Sequence, residues 1–307
     1  MIITILNILI LFIAPFILLG LLKKTKAFWS GRKGVSILQP LWDFLRLMKK
    51  DAVYSKTTSW VFRFAPIASF ASIVFASLFV PLASGKAIID IPFAFIIFAY
   101  ILGFGKFFSI ISALDTGSSF EGMGASREAC FSTIVEPAFF IMMASVIALS
   151  QNYSFESLKL ILANAGVYGY LIIALAIMTL FIMLLVESCR VPVDDPTTHL
   201  ELTMIHEVMI LDNSGVDLGF ITWGAAIKMF LFEALIANIF LGNLQGVNDI
   251  WVILIFLAVV ALISIIVGTV ESAIARFRMT HVFEFIFIMT ITALLILALV
   301  TYRLYGN

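Results

Sequence analysis

The sequence predicts an all-α integral membrane protein, one polytopic domain over 1–307 built on eight transmembrane helices. Three observations predict it. Hydrophobic residues make up 62% of the 307, charged residues only 12%, and the mean hydropathy is +1.13. Eight apolar runs, at about 2–22, 62–83, 88–113, 129–150, 166–186, 220–242, 250–270 and 282–303, come near or above the roughly 20 residues that cross a bilayer. The third observation is the placement of charge. Alternating spans put the segments 23–61, 114–128, 187–219 and 271–281 on one side, and with Arg63 that side carries fourteen of the 19 Lys and Arg residues. The other side has Lys86, Lys159 and Arg303. The positive-inside rule then makes the first side cytoplasmic and leaves both termini outside.

Span 1 ends in Gly20-Leu21-Leu22-Lys23-Lys24, without a small-residue cleavage site, so it is expected to stay as a membrane anchor. The basic segment that follows alternates Leu38, Leu41, Trp42, Leu45 and Met48 with charge. That pattern predicts an interfacial helix from about Pro40, and its Arg46, Lys49 and Lys50, with Arg32 upstream, are expected to dock a cytoplasmic partner. Lysines snorkelling to lipid headgroups are the plainer reading of the same residues.

Span 3 contains Lys106. A lysine inside a span costs about 2.5–3.5 kcal/mol on insertion scales, so it needs a partner or water. The Gly/Ser-rich DTGSSFEGMGASRE after it reads as a loop. Span 4 holds Glu136 beside Pro137, and Glu128 lies eight residues before it, about 12 Å along a helix axis. Pro137 frees a backbone carbonyl, which makes a polar, hydrated step plausible, with Lys106 as a candidate counter-charge for Glu136. Span 6 holds Lys228 and Glu233, about 140° apart around the helix, so each faces a different neighbour. Spans 7 and 8 are plain, joined by a segment carrying Arg276 and Arg278.

The densest chemistry lies between spans 5 and 6, in ESCRVPVDDPTTHLELTMIHEVMILDNSG. Glu187, Arg190, Asp194, Glu201, His206 and Glu207 crowd a segment pinned between two apolar runs. Asp195-Pro196 reads as N-cap and first helical residue of an amphipathic helix running to about Leu211, which Asn213-Ser214-Gly215 would end. Two cysteines, Cys130 and Cys189, lie far apart with no CxxC. That spacing argues against a disulfide scaffold, a zinc site and an iron–sulfur cluster, and no phosphate loop or serine nucleophile motif stands out. No metal or cofactor site is expected in this chain.

This segment resembles the central loop of subunit 1 of respiratory complex I. The match runs through Glu187, Arg190, Pro192, Asp194, Pro196, Glu201-Leu202 and Ser214-Gly215. Gly31-Arg32-Lys33-Gly34, Leu38-Gln39-Pro40 and Asp43 are similar to that subunit's early loop, and Ala275-Arg276-Phe277-Arg278 to its late arginine pair. Thr197 and His199 stand where that subunit carries further glutamates, and Lys33-Gly34-Val35 where it reads Arg-Gly-Pro. With Lys228, these departures resemble the homologous subunit of group 4 [NiFe] hydrogenases of the formate hydrogenlyase and hydrogenase-4 type. The resemblance implies a non-redox membrane subunit in a prokaryotic plasma membrane. It would seat hydrogenase large and small subunits and a ferredoxin-like subunit, which hold the [NiFe] centre and iron–sulfur clusters, and would meet antiporter-like subunits laterally in the bilayer. It also implies a charge relay for proton or sodium translocation through Lys106, Glu128, Glu136, Glu187, Asp194, Glu201, Glu207, Lys228 and Glu233, with Arg190, Arg276 and Arg278 as counter-charges. The alternatives are the quinone-site subunit of an NADH:quinone oxidoreductase, a stand-alone ion transporter and a passive anchor.

Overall fold

The computed structural model describes residues 2–83, 86–161, 168–195, 204–242 and 247–305. Among them, eight helices are long and apolar enough to cross a membrane. In chain order the helices are α1 Ile2–Trp29, α2 Gln39–Leu47, α3 Trp60–Ser77, α4 Ala94–Asp115, α5 Ser119–Ser150, α6 Gly169–Glu187, α7 His206–Met209, α8 Gly215–Leu241, α9 Asp249–Ala273 and α10 Met279–Tyr305. A 3-10 turn, Phe155–Leu160, lies between α5 and α6.

α8 is the centre of the bundle: 83% of its apolar window is buried, against 28–56% for the other seven. It packs against α1, α3, α6 and α9, and α4, α5 and α10 complete the ring. Small residues let the backbones approach. A methyl on Gly105 would sit 3.0 Å from Ser72 Cβ, and one on Gly224 3.1 Å from Ile73 Cδ1. Lys26 meets Glu271, Ser59 meets Asp115 and Val53 meets Ser214, which gathers the basic segments at one end. Phe93–Tyr153 and Asn238–Pro81 tie the opposite end.

Several boundaries depart from the sequence reading. The Gly/Ser-rich segment is helix from Ser119 onwards, because its small residues serve packing and not turning. Gly124 lies directly against Val208, and a methyl there would meet Ile205 O at 2.8 Å and Met209 Cγ at 2.9 Å. α3 stops at Ser77 and α4 starts at Ala94, six residues inside the apolar limits at each end, with Pro81 and Pro92 in the segment between. The helix expected from Asp195 to Leu211 is described only as the single turn α7. Met204 and Ile205 before it are not helical, and residues 196–203, with His199 and Glu201, lie outside the described residues. Asp194 serves that turn, accepting the N–H groups of Ile205 and His206 on Oδ2 at 3.0 and 3.1 Å, and the helix start expected at Asp195-Pro196 runs into residues outside the described ones. Asn213-Ser214-Gly215 opens α8 where it was expected to close a helix; Gly215 has φ of 52° and lies against the backbone of Asp51.

α2 carries Pro40 in its first turn, where a missing N–H costs nothing. Phe44 packs against both Phe16 and Trp223, at 5.3 and 4.7 Å between ring centroids, and Phe12 and Phe70 close round the same indole at 5.4 and 4.9 Å. These aromatic contacts fix α2 against α1 and α8.

Candidate functional site

α6 ends where Cys189 takes the left-handed conformation, φ 50°, that glycine usually supplies at a helix end. The turn leaves Glu187 as the last helical residue and aims its carboxylate into the bundle, with only 6% of the side chain exposed. Two lysines converge on it. Lys106 of α4 donates to Glu187 Oε1 at 2.8 Å, and Lys228 of α8 lies 3.5 Å from Oε2. Lys106 also donates to Ser132 Oγ at 2.8 Å and sits 3.5 Å from Glu128 Oε1, both on α5. Ser132 in turn donates to the Glu128 carbonyl at 2.8 Å. Four helices therefore contribute two cations and two carboxylates to one buried cluster. Formal charge balances there, as burial requires.

A cavity of about 60 Å³ opens beside the cluster, lined by Lys106, Glu128, Glu187, Lys228 and His206. It exceeds the 10–15 Å³ or so that one water needs, and its walls are polar enough to hold water. Glu136 stands apart. It is half-buried, makes no ion pair among the described residues, and lines a separate void of about 20 Å³ with Lys106 and Glu187. Lys106 was its expected counter-charge, but its ammonium reaches Glu128 and Glu187 instead. Glu233 is fully buried on another face of α8 and accepts from Ser264 of α9 at 2.7 Å, its Oε2 unpartnered among the described residues.

The remaining charges hold the basic end together. Arg190 lies 3.6 Å from Glu271, which Lys26 reaches from α1 at 2.9 Å. Arg276 pairs with Asp194 at 3.1 Å, and Phe277 N donates to Pro192 O at 2.9 Å, so the 190–194 turn is pinned to the α9–α10 linker. Burial pushes the Asp194 carboxyl up, against the pull of Arg276 and three backbone N–H groups. Arg278 is exposed and in no ion pair among the described residues. Lys49 and Lys50 are exposed, and so is Arg32; Arg46, 73% exposed along its side chain, lies 3.8 Å from Asp43. Glu121 is a buried acid that the sequence reading left out of the site; its Oε1 accepts from Asp212 N at 3.2 Å and anchors the turn after α7.

A larger cavity, about 500 Å³, lies between α1, α2, α7 and α8. Phe16, Leu19, Phe44 and Leu47 give it apolar walls, while Arg190, His206 and Glu207 make one end polar. His206 was also outside the expected site. Burial first, then the positive charge of Lys228, lowers its imidazole to about 4, so the ring is neutral at neutral pH. A buried thiol, Cys189, borders the charged cavity, and burial raises it well above the usual thiol range. Among the described residues no group of three or more His, Cys, Asp and Glu is placed to hold a metal.

A family model described as NADH dehydrogenase matches residues 1–302. Formate hydrogenlyase subunit 4 of Escherichia coli (strain K12) is 25% identical over 280 residues, covering 88% of this chain and 89% of that protein. Hydrogenase-4 component C of the same organism is 27% identical, over 84% of this chain and 82% of that one. NADH-ubiquinone oxidoreductase chain 1 of Triticum aestivum is 25% identical over 74% and 70%. A chain of the membrane-bound sulfane sulfur reductase, an archaeal respiratory membrane complex, has the same fold, with a TM-score of 0.78 at 20% identity over 96% of this chain and 97% of that one.

Proposed function

The chain belongs to the NADH dehydrogenase subunit 1 family, a membrane subunit of hydrogenase- or complex I-like respiratory assemblies, and from that premise we propose that it couples a hydrogenase-type redox arm to ion movement. In this reading the basic segments face the cytoplasm of a prokaryotic cell. They seat hydrogenase large and small subunits and a ferredoxin-like subunit, which carry the [NiFe] centre and iron–sulfur clusters. Antiporter-like subunits adjoin it in the bilayer. The chain itself performs no electron transfer. Its part is electrostatic: a change of charge at the arm is felt by the buried groups, which pass it on as proton or sodium translocation.

The observation that carries this is the cluster of Lys106, Glu128, Glu187 and Lys228. Ion pairs buried in a bundle contribute little net stability, since desolvation offsets much of the attraction. Intramembrane charges are more often kept for ion pathways. The cluster also borders a water-sized cavity, and Glu136 shares a second void with Lys106 and Glu187, one step further along α5. Glu207, Asp194 and Glu201 are proposed as the input groups at the basic end, Glu136 and Glu233 as the deeper ones.

The test is Glu136→Gln in the assembled complex, which keeps the shape but removes the titration. Ion translocation in vesicles should fall while the subunits still co-purify. Full translocation by the assembled variant would remove Glu136 from the relay. A second reading, the quinone-site subunit of an NADH:quinone oxidoreductase, draws on the cavity of about 500 Å³ with apolar walls and a polar end. Extraction of a quinone from the purified complex, with loss of activity on its removal, would favour that reading.

A further inference from the structure

Two cavities, one large and half apolar, the other small and charged, meet at a single titratable side chain. His206 lines both, and the other residue they share is Ala225, which has nothing to titrate. We propose that His206 passes protons between the large cavity and the Lys106–Glu187–Lys228 cluster, and so is the residue through which events at the basic end reach the buried charges. The inference rests on the coupling reading above and names the step that reading lacks.

The geometry supports it in three ways. The backbone of His206 is held, its N–H donated to Asp194 Oδ2 at 3.1 Å, and Asp194 is itself fixed by Arg276 at 3.1 Å. The ring is not held: neither ring nitrogen has a hydrogen-bond partner among the described residues, so both are free for water or a ligand. Histidines kept for structure more often donate to a carbonyl or carboxylate. Charged groups surround the ring on both sides: Lys228 from α8, Lys106 from α4, Glu128 from α5, Glu187 from α6 and Arg190 from the turn, and across the large cavity Lys23 and Lys26 of α1, Asp43 of α2 and the neighbouring Glu207. Among these cations the imidazole rests neutral, lowered to about 4 by burial and by Lys228, so one nitrogen donates and the other accepts.

The transfer balances. Water in the large cavity, or the Glu207 carboxyl beside it, gives a proton to the bare ring nitrogen. The opposite nitrogen releases its proton to water in the small cavity, where Glu128 takes it up; Glu128 has a lysine at 3.5 Å, whereas Glu187 has two within that distance. One N–H bond forms as the other breaks and no electron is transferred; rotation of the ring then turns the new N–H towards the small cavity and a bare nitrogen back to the large one, ready for the next proton.

The experiment uses the whole complex in liposomes, scoring charge moved per electron pair with a potential-sensitive dye. His206→Gln and Glu187→Gln should each lower that ratio at least tenfold. If Glu187→Gln lowers it and His206→Gln does not, the His206 step is overturned and the coupling reading stands. If neither lowers it, both are overturned. A structural role for the ring is separated by His206→Ala. Added imidazole should restore translocation, while pyrazole, equal in size but far less basic, should not. Rescue by both, or by neither, overturns proton passage through His206.

Discussion

Glu187→Gln takes one negative charge from between two lysines and leaves the shape of the side chain intact. At an effective permittivity of about 20, Coulomb's law gives about 6 kcal/mol for the contact at 2.8 Å and about 5 for that at 3.5 Å. Most of that attraction is offset by the cost of desolvating the ions. Breaking such a buried pair by removing one partner typically costs 3–5 kcal/mol. The adjoining cavity, about 60 Å³, lets water reach the stranded ammonium groups, so the lower end, about 3 kcal/mol, is expected. For a chain of this size that corresponds to a fall in Tm of about 5 °C. Cys189 borders the same cavity and is buried, so its reaction with a thiol dye, in a Cys130→Ser background, reports the loss of structure. Lys106→Met added to Glu187→Gln restores charge balance, leaving Lys228 and Glu128, and should recover about 2 kcal/mol relative to the sum of the single variants. A Tm within about 2 °C of the parent for Glu187→Gln, or strict additivity in the double variant, would refute the claim that Glu187 is held by both lysines.

Three further outcomes follow from the same structure. Tyr305→Cys, at a position 84% exposed, should react with impermeant reagents only from outside the cell, and Lys33→Cys only from the cytoplasm; the reverse pattern would invert the topology. Reversing the charge of Arg46, Lys49 and Lys50 together should release the redox arm at lower salt, because exposed pairs are screened; unchanged co-purification would assign these residues to lipid headgroups. His206 sets a pH dependence. Its imidazole is lowered from 6.5 to about 4, so as pH falls through that window the unfolded chain takes up a proton that the folded chain refuses. Stability therefore falls on acidification, by up to about 3 kcal/mol, and is fully present above pH 6.5. His206→Gln should flatten the Tm profile between pH 6.5 and 4, and an unchanged slope would place the ring in water.

Hydropathy and the alternation of charge were enough to read eight helices, because a bilayer leaves few other solutions for such a chain. The misread boundaries share one physical cause. Composition does not tell a small residue that turns the chain from one that lets two backbones close up. Gly124 and Ala125 look like a loop and serve as the face of α5 that receives α7. Phe79, Val80, Leu82 and Ala83 look like the end of a span and are buried beyond the end of α3. Asp194 and Asp195 are equivalent as capping residues by type. The acid that meets α7, Asp194, is held by Arg276, more than 80 positions along the chain, a contact that residue type does not reveal.

The site was legible as an inventory and not as a set of pairs. Lys106, Glu136, Lys228 and Glu233 all announce themselves as charges inside apolar runs, since each must answer for the cost of its burial. Which of them meet depends on how far a lysine reaches along the bundle. Lys106 carries a four-carbon stem, and such stems extend towards the polar end of a span. On α5 that direction leads from Glu136 to Ser132 and Glu128, and it also leads to Glu187 at the last residue of α6. Glu136, the acid nearest Pro137, is left with a void and no salt bridge among the described residues. The same direction accounts for His206. A ring at the basic end becomes part of the site only because the lysines bring the charge up to it, and no spacing along the chain records that meeting.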